Sequence, residues 1–314
     1  MSDGLSCYTG NLVAYLERHE TDPAGRVARS IRVAVRTDLP GGSLAISHHA
    51  MPLHRLPDGG ELRYRSARDR DAALHEIKAE LDAQGQVLVV ADSSLLPWSP
   101  GTDAGAPHYL LVTGFDDGHW HVVDRFSALL PGGGEQRPFD GRLGEEEFAG
   151  LLRPRDPLPP EQRRRNEHAF GFPVPVPPDG DHQWLARVPD ESGDGTALPG
   201  RWITDPAGAL DRLAEHFASG SDSGRLLEDV WAIARHHTFR YERLRGRLDG
   251  ADEAYAAWNE LPRAVRFAHE SAQRGRARPS LITTAFGRLS RVEDGLREPL
   301  AAQGYGAERE GATT

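Results

Sequence analysis

The fold is decided by one stretch, His108-Tyr109-Leu110-Leu111-Val112-Thr113-Gly114-Phe115-Asp116-Asp117-Gly118-His119-Trp120-His121-Val122-Val123-Asp124. Two runs rich in β-branched and aromatic residues flank Asp116-Asp117-Gly118, which is the composition of a β-hairpin with Gly118 at the left-handed position of its turn. If Phe115 pairs with His119 across a three-residue loop, Leu110 faces Asp124. His108 and Asp124 then leave the same sheet face as diagonal neighbours, with Cα atoms ~7–8 Å apart. An imidazole and a carboxylate can bridge that gap with a hydrogen bond.

Upstream, residues 86–92 read as a buried strand ending in Asp92, preceded by an amphipathic helix over Asp69–Gln84 with Ala72, Leu74, Ile77 and Leu81 on one face. A helix feeding such a strand is an α/β or α+β unit. After Asp92 the segment through Leu96-Pro97-Trp98 is an irregular loop whose aromatic residue suits a pocket wall. Residues 30–36 alternate as a strand with one wet face, and 43–47 form a second short strand.

The chain's single cysteine, Cys7, opens a helical pattern that runs to about Arg18. A thiol at a helix N-terminus feels the positive end of the helix dipole, which favours the thiolate. Gly10, one turn on, fits either close packing or substrate access. Cysteine catalysis needs a thiolate, a base, a group that orients the base, and oxyanion donors. Cys7, His108 and Asp124 supply the first three in that order. Each residue also has a plain structural use: a packed thiol, the first residue of a strand, the last residue of one.

Downstream lie the Gly132-Gly133-Gly134 loop and a short acidic helix near 144–152. Residues 153–200 are Pro-rich and include Arg163-Arg164-Arg165, so they read as a linker or extended edge. From Thr204 onward four helices follow, over about 207–217, 223–248, 251–274 and 279–303. The expected organisation is a catalytic domain over 1–152, a linker over 153–200 and a helical domain over 201–314.

Composition narrows the function. A net charge of −10 argues against nucleic acid or an anionic membrane as partner. One cysteine excludes an intramolecular disulfide and any multi-thiolate metal site. His48, His49 and His54 lack a carboxylate or thiol at ligand spacing, so no metal and no cofactor is expected. Met1-Ser2-Asp3-Gly4 is unlike a signal peptide and no apolar run reaches membrane-spanning length, which makes a cytoplasmic location the expectation.

The ordered set of motifs resembles the butirosin biosynthesis protein H-like family, whose N-terminal part is similar to papain-like peptidases of the C39 type. The resemblance rests on Cys7-x-x-x-Asn11-Leu12, the strand ending at Asp92 before Leu96-Pro97-Trp98, and the hairpin start from His108 to Asp117. The helical C-terminal part, with Phe239-Arg240 and Leu244, also looks like the region that follows in that family.

The resemblance implies an α+β papain-like domain with an antiparallel sheet, then an all-helical region. It implies acyl transfer in specialised-metabolite (antibiotic) biosynthesis, from a carrier-protein thioester through acyl-Cys7 to a small-molecule amine. C39-type peptidases carry a Gln about six residues before the cysteine, where this chain has Met1. Asn11, one helical turn after Cys7, is the alternative oxyanion donor. Asp92, Trp98 and Tyr109 are the substrate-binding candidates.

A hydrolase (thioesterase or peptidase) with the same triad, and a catalytically silent binding protein, are the competing functions. An acidic carrier protein would need a basic patch, for which Arg225, Arg235, Arg240, Arg243, Arg245 and Arg247 are candidates. The helical half could instead form a homodimer.

Overall fold

A computed structural model describes residues 4–100, 105–129, 134–152, 157–178, 180–190, 198–219 and 223–305. In chain order the elements begin with α1 (Cys7–Leu16), α2 (Pro23–Ser30), β1 (Ile31–Arg36), β2 (Ala45–His49), β3 (Gly60–Ala67), α3 (Arg70–Gln84) and β4 (Val87–Asp92). Next come β5 (Pro107–Asp116), β6 (His119–Asp124), β7 (Ala128–Leu129), β8 (Glu135–Gln136), β9 (Phe139–Gly144), α4 (Glu145–Leu151), α5 (Pro160–Glu167), β10 (His182–Pro189) and β11 (Trp202–Ile203). Helices α6 (Pro206–Ala218), α7 (Leu227–Leu244), α8 (Ala251–Gln273) and α9 (Pro279–Ala302) follow. The protein is α+β, with antiparallel sheets and several C-terminal helices.

Two compact units divide the chain, Met1–Ala24 with Leu53–Thr196 and Gly25–Pro52 with Ala197–Thr314. This division differs from three consecutive segments. The first unit is built on a six-stranded sheet in the order β3-β10-β4-β5-β6-β9. Strand β10 lies inside it, pairing along its whole length with β3 and through Gln183–Leu185 with β4. The stretch expected to be a linker thus supplies an interior strand. Trp184 and Ala186 point into one core, and prolines flank the strand rather than interrupt its pairing with β4.

Helix α3 forms because Asp69 caps it, accepting from the Ala72 N–H at 2.9 Å, and Gly85 ends it at φ 74°. It buries Ala73, Leu74, Ile77 and Leu81, with Ala73 rather than Ala72 on the inner face, against Val87, Val89, Leu110 and Val112. Each fully buried Leu, Ile or Val there contributes about 1.5–3 kcal/mol.

The hairpin β5–β6 reaches the expected register by a different route. Its turn has two residues, Asp117 and Gly118, at φ 47° and 72°, the left-handed pair of a type I′ turn, and it is closed by Asp116↔His119. A bulge between Val112 and Gly114 then shifts the pairing by one. The inner part therefore returns to Leu111↔Val123, the alignment that places His108 and Asp124 on one face.

In the second unit a three-stranded sheet, β11-β1-β2, accompanies α6 to α9. The expectation of an all-helical region is corrected by these strands, two of which come from residues 31–49. Val33, Val35, Leu44 and Ile46 share one core with Leu210, Ile233, Trp258 and Phe286. Strand β1 has no wet face: Ile31 to Val35 are all buried, and Arg32 donates to Ser47 Oγ at 3.2 Å. Among the described residues no helix is long and apolar enough to cross a membrane.

Candidate active site

Helix α1 presents Cys7 as its first residue because Ser6 caps the helix, accepting from the Thr9 N–H at 3.5 Å and donating to Thr9 Oγ1 at 3.1 Å. Residues Tyr8 to Leu16 are all buried, so the helix is fixed from every side, while Cys7 keeps partial exposure. A Cβ at Gly10 would meet Leu5 Cβ at 3.9 Å and the Arg125 carbonyl at 4.0 Å, which is ordinary contact. Close packing therefore does not demand glycine there.

The Cys7 sulfur lies 4.0 Å from the Pro107 carbonyl oxygen, at the start of β5. The next residue, His108, is 3% exposed and bonds Asp124 Oδ2 through Nε2 at 2.8 Å. That leaves Nδ1 as the ring nitrogen available to the thiol. Burial opposes a charge on the ring. The negative charges of a Cys7 thiolate and of Asp124, with the hydrogen bond to Asp124, outweigh burial and lift the His108 pKa to about 10. For Asp124, burial works upward, and His108, Trp98 and the Phe126 N–H hold the carboxyl below its ordinary value.

Asp124 is fully buried and accepts five donors. Oδ1 takes Asn11 Nδ2 at 3.1 Å and the Phe126 N–H at 3.0 Å. Oδ2 takes His108, Trp98 Nε1 at 2.9 Å and Gln136 Nε2 at 3.2 Å. A carboxylate with that many donors stays ionised and has little freedom to turn.

Asn11 occupies a different place from the one expected. It is wholly buried, and its Nδ2 also donates to the carbonyls of Tyr109 (2.6 Å) and Cys7 (3.0 Å), while Oδ1 accepts from the Arg125 N–H at 2.8 Å. With its hydrogens spent on protein acceptors, it locks α1 to β5 and β6 instead of standing ready for an oxyanion. The position of Met1, where the C39-type pattern has Gln, lies outside the described residues. So do Gly132 and Gly133 of the glycine loop.

Of the three substrate-binding candidates, Trp98 sits over the site but spends its indole N–H on Asp124 and stacks on Phe139 at 4.0 Å. Tyr109 points to the opposite sheet face from His108. Its ring packs on Tyr8 and Phe170, and its hydroxyl shares a short hydrogen bond with Tyr64. Asp92 caps the turn that follows β4, accepting from Ser94 N and Oγ at 2.8 and 2.7 Å, and it pairs with Pro107, one residue before His108. Gln136 was not expected. It lies twelve residues after Asp124 in a two-residue strand, and no local pattern marks it.

The other candidates separate. His48 and His49 belong to the second unit and His54 to the first. Among the described residues no group of three or more His, Cys, Asp or Glu side chains is arranged to hold a metal. Of the arginines of α7 and its flanks, Arg225, Arg245 and Arg247 are exposed, and the others are engaged with neighbours to different degrees. Arg240 is buried against His237, Arg245 pairs with Asp252 and Glu242, and Arg235 and Arg243 lie over Trp231 and Phe239.

No protein-family model matches the chain, and no curated protein matches its sequence significantly.

Proposed function

We propose that the protein is a cysteine-dependent acyltransferase, with a papain-like first unit of the kind found in the butirosin biosynthesis protein H-like family. The observation that carries this reading is the buried His108, bonded at 2.8 Å to Asp124 and next in the chain to Pro107, whose carbonyl oxygen lies 4.0 Å from the Cys7 sulfur. An imidazolium beside a thiol at a helix N-terminus favours the thiolate. In the proposed cycle the thiolate attacks a thioester carbonyl, the donor thiol leaves as the acyl–sulfur bond reforms on Cys7, and His108 returns a proton to that thiol. His108 then takes a proton from an incoming amine as its nitrogen displaces Cys7. With the Asn11 amide engaged elsewhere, the Cys7 backbone N–H at the helix N-terminus is the candidate oxyanion donor.

Partial exposure of Cys7 also favours one competing reading, hydrolysis with water as acceptor. The experiment is incubation with a simple acyl thioester and a panel of amines, followed by mass spectrometry. Transfer requires an acyl adduct on the wild type, absent in Cys7→Ala, and amide product that grows with amine concentration. Free acid as sole product at every amine concentration replaces transfer by hydrolysis. No adduct and no product would leave a binding protein.

A further inference from the structure

Gln136 is 2% exposed, and both ends of its amide are engaged. Nε2 reaches Asp124 Oδ2 at 3.2 Å, and Oε1 accepts from Ser99 Oγ at 3.4 Å. Ser99 follows Trp98, whose indole donates to the same Oδ2 at 2.9 Å. One carboxylate oxygen therefore receives His108 together with two neutral donors, one from the segment after β4 and one from β8, which pairs with β7 just beyond Phe126. An apolar side chain would fill the same volume. The amide adds a fixed direction for the oxygen that orients the His108 ring.

We propose that Gln136 is a positioning residue for the Cys7–His108 pair, holding Asp124 Oδ2 in place and linking it through Ser99 to the segment that bears Trp98. This rests on the reading of Cys7 as an activated nucleophile. Gln136 touches no reacting atom. It acts by limiting the freedom of Asp124, so that the His108 ring keeps Nε2 on the carboxylate and Nδ1 toward the sulfur.

The test follows alkylation of Cys7, the chain's single thiol, by iodoacetamide from about pH 5.5 to 8.5, a range below and around an ordinary cysteine pKa of ~8.5. Gln136→Met keeps the bulk and removes the donor. Near pH 6 its rate should fall on the order of tenfold below wild type, the scale of one hydrogen bond to a charged group. Gln136→Glu gives the signature that packing alone would not produce. Beside Asp124 the new carboxyl's pKa is raised, so at the acid end it is protonated, donates its O–H as the amide did, and matches wild type. As it ionises, two carboxylates repel, and the rate relative to wild type should drop.

A wild-type rate for Gln136→Met at pH 6, or a Gln136→Glu ratio that is constant with pH, overturns the proposal. If circular dichroism shows that Gln136→Met is unfolded, the Gln136→Glu profile decides by itself. A wild type that alkylates no faster than a free thiol overturns this inference together with the nucleophile reading. An activated wild type with unaffected variants overturns this inference alone.

Discussion

The side-chain amide of Asn11 lies 3.1 Å from Asp124 Oδ1 and joins the nucleophile's helix to the carboxylate that orients His108. The same amide holds the carbonyls of Cys7 and Tyr109 and the N–H of Arg125. Asn11→Leu removes the amide from all four groups, of which the Tyr109 carbonyl and Asp124 Oδ1 are buried, and Asp124 Oδ1 keeps only the Phe126 N–H. The expected loss of stability is about 3–5 kcal/mol, at the upper end for a single substitution. Urea unfolding measures it. A role as oxyanion donor alone predicts the opposite pattern, with turnover lost and the urea midpoint unchanged.

Asp124→Asn tests the charge rather than the shape. With the Asn oxygen turned to Asn11 and Phe126, its NH2 faces the donors of Trp98, Gln136 and His108, and the ring loses both a hydrogen bond and a negative neighbour. Burial then acts on His108 with less opposition, and its pKa should fall from about 10 by about one to three units. An anionic alkylating agent is drawn to imidazolium where a neutral one is not. The ratio of iodoacetate to iodoacetamide rates at Cys7 should therefore decline at lower pH in the variant than in wild type. An unmoved profile would mean that Asp124 does not set the charge of His108.

The pairing of His108 with Asp124 was legible in the sequence because strand alternation and a turn signal are local. The predicted three-residue loop was one residue too long, and the bulge between Val112 and Gly114 restores the register. The helix expected over Asp69–Gln84 was equally local, and Asp69 turns out to be its cap. Strand β10 was obscured by its Pro-rich flanks, and β1 was misread because Arg32, expected on a wet face, is buried beside Ser47 of β2 and His237 of α7, the latter far away in the chain. The roles of Asn11 and Gln136 depend on which acceptors surround a buried amide. Spacing along the chain carries no record of that.

In the second unit Glu293 of α9 accepts from Tyr241 Oη of α7 at 2.7 Å and from Trp258 Nε1 of α8 at 2.6 Å, with His237 Nδ1 at 3.3 Å. Burial pushes its carboxyl upward, but these partners and the charge of Arg240 bring it down to about 2. Glu293→Leu leaves the Arg240 charge uncompensated in a dry core and strands two donors, so a loss of about 3–5 kcal/mol is expected. Adding Arg240→Met should recover part of it. Strictly additive losses in the double variant would show that the two charges do not interact.

The same region should make the second unit sensitive to acid. His49, His236 and His237 are buried; the rings of His48 and His49 pack on His236, His237 stacks on Trp258, and Arg32 of β1 and Arg235 and Arg240 of α7 act on them by charge, with Glu293 as the nearby counter-charge. Burial first, then these positive neighbours, hold His49 and His236 well below 6.5 and His237 at about 4. Below pH ~6.5 the unfolded chain binds protons that these native rings refuse, so stability falls as the pH drops. Glu293 adds to that loss as the pH falls below ~4.5 toward 2. His108 has the opposite sign. Raised to about 10, it stabilises the first unit fully below pH ~6.5, and that contribution is lost as pH rises through 10. Hydrogen exchange read by mass spectrometry separates the two. Protection in α7 should decrease between pH 7 and 5 once intrinsic exchange is corrected, and protection in β5 and β6 should decrease between pH 8 and 10. Constant protection in α7 across the acid range would mean that these imidazoles already carry protons in the native core or gain them without cost, and the burial that depresses them would have to be relieved by water reaching the cluster.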